Sequence, residues 1–200
     1  MKHQSRNALP AALLALLGAA ARLQAADAPA LPRYVLDPAK STLEFTFTQA
    51  GARNKGRFTR FQTLLDFAPE NLAASHLEVT IEMNSLDTGD QERDGALRDS
   101  DLFAVKKFPQ AHFSAAQILK TASGYEAIGK LTIRDTSREV RVPFTFRTAT
   151  EAGVSAGYMS GQTTIKRLDY GVGQGDWKAT DQVGNDVGVS FALRLTGAGH

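Results

Sequence analysis

Six carboxylates crowd one short stretch, Asp87, Asp90, Glu92, Asp94, Asp99 and Asp101. Acids at that density suggest calcium or general acid–base work. An EF-hand loop needs acids at alternate positions and a glycine at the sixth, and Gly89 and Gly95 do not meet that spacing. Arg93 and Arg98 interleave with the acids, so the stretch reads as a solvated or salt-bridged helix surface. A general acid such as Glu92 or Asp94 would further need a partner and a pocket, and the sequence supplies neither.

Other chemistry is thinner. His76, His112 and His200 are scattered and the chain has no cysteine, which argues against zinc or another transition metal. His112 beside Phe113 reads as a surface or rim histidine. No serine stands in a Gly-x-Ser-x-Gly elbow. Gly171, Gly173 and Gly175 imitate a phosphate loop, but Asp176 to Asp186 is rich in turn residues where a dinucleotide fold needs a helix. The expectation is no catalytic residue, no metal and no cofactor.

The elements point elsewhere. Lys2, His3 and Arg6 precede an apolar run from Ala8 to Ala21, and small residues follow at Ala25 and Ala26, the layout of a cleaved secretory signal over residues 1–26. Residues 27–32 read as a flexible leader, and 33–200 as the folded domain. The signal takes Lys2, Arg6 and Arg22 with it, so the 23 basic residues fall to one fewer than the 21 acidic ones. A near-neutral body lacks the footprint that nucleic acid requires. Without disulfides, an exported domain must rely on its own core.

That core is written with a period of two. Leu43, Phe45 and Phe47 alternate with polar residues, as do Leu77, Val79, Ile81 and Met83, then Val140, Val142, Phe144 and Phe146, then Val187, Val189, Phe191, Leu193 and Leu195. Further strands are expected over 56–67, 112–119, 125–134 and 155–166, for eight or nine in all. Pro143 within a strand implies a bulge or an edge. Leu97, Leu102 and Phe103 among the charges of 91–103 imply one short amphipathic helix. Strands dry on one face bury it against a second sheet or by closing into a barrel. An eight-stranded barrel has room for its own side chains or one slender ligand. Gly129, Gly157 and Gly161 within strands either make room for a ligand or bend the barrel.

Several motifs follow one another along the chain: Asp37-Pro38 with Ser41, Gly56-Arg57-Phe58 with Phe61, Ser85-Leu86-Asp87-Thr88-Gly89, Arg93-Asp94 with Leu97, and Asp101-Leu102-Phe103. They continue in Phe108-Pro109, Gly129-Lys130-Leu131-Thr132-Ile133, and Arg167 with Asp169-Tyr170-Gly171. Read in that order, they resemble the YceI-like family of periplasmic polyisoprenoid-binding proteins. The resemblance implies an all-β, lipocalin-like antiparallel barrel of about eight strands with one short helix. It further implies that the barrel is non-enzymatic and binds an isoprenoid lipid, a polyprenyl lipid or an isoprenoid quinone, for carriage or storage in the periplasm. Gln49 and Ala96 stand where many members have histidine, a departure that bears on any polar head group. The segment from Gly171 to Trp177 is similar to members found with b561-type cytochromes, which implies an isoprenoid quinone and transient contact with a membrane surface or such a cytochrome. A homodimer is also compatible with the resemblance.

On this reading Phe45, Phe47, Phe58, Val79, Ile81, Leu97, Phe103, Phe113, Leu131, Phe144 and Phe191 are the expected lipid-binding residues. A filled core is the equal alternative at each. Arg93 and Arg98 are the expected head-group contacts, the alternative being surface ion pairs with Asp94 and Asp101. Rival functions are a broad scavenger of hydrophobic compounds, an accessory partner of a membrane cytochrome, and an enzyme with a buried ionisable group. The last is disfavoured because alternation puts Glu44, Glu78 and Glu82 outward.

Overall fold

The computed structural model describes residues 31–151 and 153–197. The expected signal, 1–26, and residues 27–30 of the leader lie outside the described residues, as does His200. Among the described residues eleven strands make one sheet. They are β1 (Arg33–Leu36), β2 (Thr42–Gln49), β3 (Ala52–Phe58), β4 (Phe61–Asp66), β5 (His76–Glu82), β6 (Leu86–Asp87), β7 (Gln110–Thr121), β8 (Gly124–Ile133), β9 (Thr136–Glu151), β10 (Val154–Lys166) and β11 (Asp186–Gly197). Three pairs of them, β1 with β2, β3 with β4 and β5 with β6, are halves of longer broken strands. The sheet is therefore an eight-stave barrel, with neighbours in chain order, all pairs antiparallel, and β11 closing on β1 and β2.

Each break has a local cause. Pro38 opens a single 3-10 turn between β1 and β2, capped by the Asp37 carboxylate, which accepts from Ala39 N–H. That break is stitched to β11, because Asp37 N–H donates to the Arg194 carbonyl at 2.8 Å and Arg194 N–H donates to Ser41 Oγ at 3.0 Å. Between β3 and β4, Thr59 N–H donates to the Ser85 carbonyl and Arg60 N–H to Ser85 Oγ. Ser85 lies in the turn that breaks β5 from β6, so the second and third breaks hold each other.

The alternation puts Leu43, Phe45 and Phe47 of β2 inward, then Phe61, Thr63 and Leu65 of β4, and likewise around the ring. One end is packed solid. Phe67, at the exit of β4 and 1% exposed, sits with ring centroids 4.9 Å from Tyr125, 6.0 Å from Phe144 and 4.8 Å from Phe146. Tyr34 meets Phe146 edge-on at 5.3 Å. Two of the strand glycines sit against aromatic rings. A Cβ on Gly157 would stand 2.9 Å from the Phe146 ring, and one on Gly161 2.7 Å from the Phe191 ring. They create space for neighbouring aromatics rather than for a ligand.

Two expectations change in detail. The helix, α1 (Gln91–Arg98), is shorter than 91–103. Asp99 caps its end, and Leu102 and Phe103 fold back in a turn whose Phe103 N–H donates to the Leu97 carbonyl. Pro143 is neither at a bulge nor on an edge strand. It pairs with Glu126 of β8, while the β9–β10 ladder stops at Phe144, so the absent N–H falls where no ladder bond is needed. The register shift lies instead in β7, between Ser114 and Gln117.

Candidate functional site

The opposite end is hollow. The connections there, namely the turn after β2, the 88–109 segment containing α1, and the 167–185 segment between β10 and β11, form a hydrogen-bonded collar. Ala50 N–H donates to the Gln182 carbonyl at 2.8 Å, Gly184 N–H to Thr48 at 2.9 Å, and Gly173 and Gln174 N–H to the Asp101 carbonyl at 3.0 and 2.8 Å. α1 is started by Asp90, whose carboxylate accepts from Arg93 N–H at 3.0 Å. Asp94, buried, accepts from Thr88 N–H at 2.9 Å and Thr88 Oγ1 at 2.7 Å. The acidic stretch thus builds a helix entrance and a turn.

Inside this collar is a cavity of about 460 Å³. Its wall takes Phe45 and Phe47 from β2, Phe58 from β3, Leu97 from α1, Phe103 from the following turn, and Trp177 and Val183 from the 167–185 segment. A narrower cavity of about 100 Å³ is lined by Thr63, Val79, Phe113, Met159 and Phe191. Leu43, Ile81, Leu131, Ile165 and Val189 line both cavities. The two are successive chambers of one barrel interior, the narrow one towards the aromatic plug.

The expected lipid-binding residues divide accordingly. Phe45, Phe47, Phe58, Leu97 and Phe103 line the wide chamber, Val79, Phe113 and Phe191 the narrow one, and Ile81 and Leu131 both. Phe144 is placed elsewhere: it stacks on Tyr125 at 5.5 Å within the plug and reaches neither chamber. Arg93 lines the wide chamber at its rim and pairs with Asp90 at 3.5 Å. Arg98 does not line it. Its Nη2 donates to the Leu86 carbonyl at 2.6 Å and lies 3.9 Å from Asp94. Gln49 and Ala96 both line the wide chamber.

Electrostatics is concentrated at the rim. Asp90 is held below the usual carboxylate range by the Arg93 backbone N–H, helped by the Arg93 charge, and Asp87 by the Gly89 N–H and then by Arg57. The wall holds one cation that sequence reasoning did not single out as a site residue. Arg167, 4% exposed, donates from Nε to the Gly184 carbonyl at 3.0 Å, from Nη1 to Val172 at 2.9 Å and from Nη2 to Val183 at 2.7 Å. A sequence signal existed, since Arg167 continues the inward parity of Thr163 and Ile165. Thr63 carries a second unforeseen polar atom, a buried hydroxyl without a hydrogen-bond partner. Among the described residues no group of three His, Cys, Asp or Glu side chains could hold a metal ion.

Known proteins share this architecture. The crystal structure of BcnA from Burkholderia cenocepacia has a TM-score of 0.73 at 32% identity, covering 80% of this chain and 98% of that one. The YCEI protein of Campylobacter jejuni gives a TM-score of 0.66 at 25% identity, covering 74% of this chain and 87% of its own. A polyisoprenoid-binding domain from Saccharophagus degradans shares the fold with a TM-score of 0.62 at 17% identity, covering 82% of this chain and 98% of that one. In sequence, a UPF0312 protein of Yersinia enterocolitica is 39% identical over 85 residues, 42% of this chain. That match spans 44% of the relative's length. The YceI-like domain matches residues 34–195, nearly the whole barrel. This chain therefore belongs to the YceI-like domain family.

Proposed function

We propose that the protein is a non-enzymatic carrier or store for an isoprenoid lipid, a polyprenyl lipid or an isoprenoid quinone, working in the periplasm after removal of its signal. The observation that carries this reading is the pair of adjoining apolar chambers, which share five lining residues, inside the barrel. A chamber of about 460 Å³ lies within the range of pockets that enclose small molecules, and a second cavity of about 100 Å³ with an apolar lining adjoins it. The polyisoprenoid-binding domain of Saccharophagus degradans, which shares the fold, lends support.

Energetics fits a shuttle. Moving a chain of roughly 30 carbons out of water would release on the order of 24 kcal/mol at about 0.8 kcal/mol per methylene, above the ceiling of about 18 to 21 kcal/mol for non-covalent binding. The relevant reference is the bilayer, where the chain is already dry. The net preference for the barrel is then small, which lets cargo load and unload at the collar, the face that would meet a membrane or a membrane cytochrome.

Native mass spectrometry of protein purified from its own source, followed by organic extraction, tests the reading. A stoichiometric prenyl lipid or quinone is expected. A protein that is empty and also refuses prenyl lipids after delipidation overturns it. Competition between a prenyl lipid and a hydrophobic dye separates a selective carrier from a broad scavenger, which would show little preference.

A further inference from the structure

Arg167 is an unusual investment for an apolar cavity wall. Its side chain is buried, yet all three of its hydrogen bonds end on neutral backbone carbonyls, those of Gly184, Val172 and Val183. A guanidinium has five N–H groups, so one on Nη1 and one on Nη2 have no partner among the described residues. No carboxylate pairs with it there, although other buried or half-buried arginines, such as Arg194 with Asp37 and Glu151, are paired. Burial alone pushes the Arg167 guanidinium down from its ordinary range, with no opposing charge to raise it. The backbone makes room for it. Gly173 sits at φ +119, and a Cβ there would collide with Nη1.

A buried cation whose charge is uncompensated is costly, and three carbonyls would position it without cancelling that charge. We propose that Arg167 is the head-group selector of the wide chamber, donating its free N–H groups to an oxygen acceptor, carbonyl or anionic, at the head of an otherwise apolar ligand. The inference rests on the lipid-binding reading and adds to it a specificity. The head is drawn to the 167–185 side of the collar, where Trp177 also lines the wall, rather than to the Arg93 rim, where Asp90 already occupies the cation.

The test uses three ligands with one chain, farnesene, farnesal and farnesoic acid, each displacing a fluorescent probe from the delipidated protein. For each ligand the affinity of wild type is divided by that of Arg167→Met, which cancels differences in how the heads are hydrated in water. The ratio is expected at about tenfold or more for farnesal and farnesoic acid, the scale of a hydrogen bond to a charged group, and near one for farnesene. Farnesal and farnesoic acid arms distinguish a carbonyl from an anionic head. A ratio near one for all three overturns the proposal while leaving lipid binding intact. No binding of any of the three to wild type overturns the carrier reading and the selector with it. Because Arg167 also ties the collar together, the variant can misfold. Wild-type protein labelled with nitrogen-15 arginine then decides: the Arg167 guanidinium resonance shifts with farnesal or farnesoic acid and not with farnesene if it is the selector, and an equal response to all three or to none overturns the assignment.

Discussion

The two ends of the barrel are made by the same alternation and finish in opposite states. At the plug, Phe67 enters from the β4–β5 connection and locks against Tyr125, Phe144 and Phe146. At the collar the inward positions are again aromatic, but Phe45 stacks on Phe47 at 6.0 Å and leans on Phe58 at 5.2 Å along the wall. The space that a ring from a crossing loop would fill stays open, because the turn after α1, at Asp101, and the 167–185 segment hydrogen-bond to one another around the edge instead of inserting. Whether a connection crosses the axis or circles it decides whether a barrel end holds the fold together or holds a guest.

The sharpest way to break that contrast is to truncate the plug. Phe67→Ala removes a ring that is 1% exposed, and large-to-small changes of this type cost about 3–5 kcal/mol. Leu97→Ala on the collar, where the side chain is half-buried against an existing void, is expected to cost under about 1 kcal/mol, since little new cavity forms. Chemical denaturation of both variants checks the difference. Equal losses would mean that the collar, too, is part of the stabilising core.

The second test fills the hollow end. Ala96 of α1 lines the wide chamber and is only half-buried, so Ala96→Leu adds an isobutyl group at the chamber wall without displacing a packed core. Prenyl-lipid affinity is expected to fall about tenfold, roughly 1.4 kcal/mol, while the melting temperature holds or rises. A variant that loses stability without losing affinity would place the cargo elsewhere.

The contrast itself was only half legible in the sequence. Period-two alternation identified the staves and their inward faces, because burial on one face of a strand leaves that imprint directly. It could not tell Phe144, in the plug, from Phe113, at a chamber wall, since both are inward aromatics and the deciding residue, Phe67, comes from a connection. The 56–67 stretch reads as one strand yet breaks at Thr59–Arg60, and β1 before Pro38 leaves no alternation to read, because each break is fixed by a partner distant in sequence, Ser85 for the first and β11 for the second. Arg98 lies one helical turn from Asp94 and reads like Arg93, but only folding shows that it turns to the Leu86 carbonyl. Arg167 is legible as a charge at an inward position, but alternation does not say that its hydrogen bonds end on the backbone carbonyls of Gly184, Val172 and Val183.

A smaller effect distinguishes the chambers from each other. The Thr63 hydroxyl is buried in the narrow chamber without a partner, and such a group costs about 1–3 kcal/mol. Thr63→Val keeps the shape and is expected to stabilise the ligand-free protein by about 1 kcal/mol, a rise of about 2–4 °C in melting temperature at this size. Affinity for prenyl hydrocarbon should stay level or improve. A fall in affinity would show that the ligand brings a polar group as far as the narrow chamber.

Acid supplies the smallest expected effect, and its sign follows from the carboxylates of the collar. Asp87 and Asp90 are both held below their ordinary range, chiefly by backbone N–H groups at Gly89 and Arg93. A carboxylate depressed in the folded state contributes stability that is fully present above its unfolded value, about 3.9, and is lost as pH falls through the lower folded value. Asp66, depressed by Arg33, titrates in the same sense on the strand leading to the plug, but the plug rings carry no charge to lose. Below about pH 4 the start of α1 should therefore loosen before the aromatic packing does. The chain's one tryptophan, Trp177, reports on the wide chamber, and in a Tyr170→Phe background, which removes the buried collar tyrosine, Tyr125 within the plug contributes near-ultraviolet dichroism. A red shift of tryptophan emission preceding the loss of tyrosine dichroism on acidification is the expected order. Coincident transitions would show that collar and plug melt as one unit, and that the hollow end is as tightly coupled to the core as the packed one.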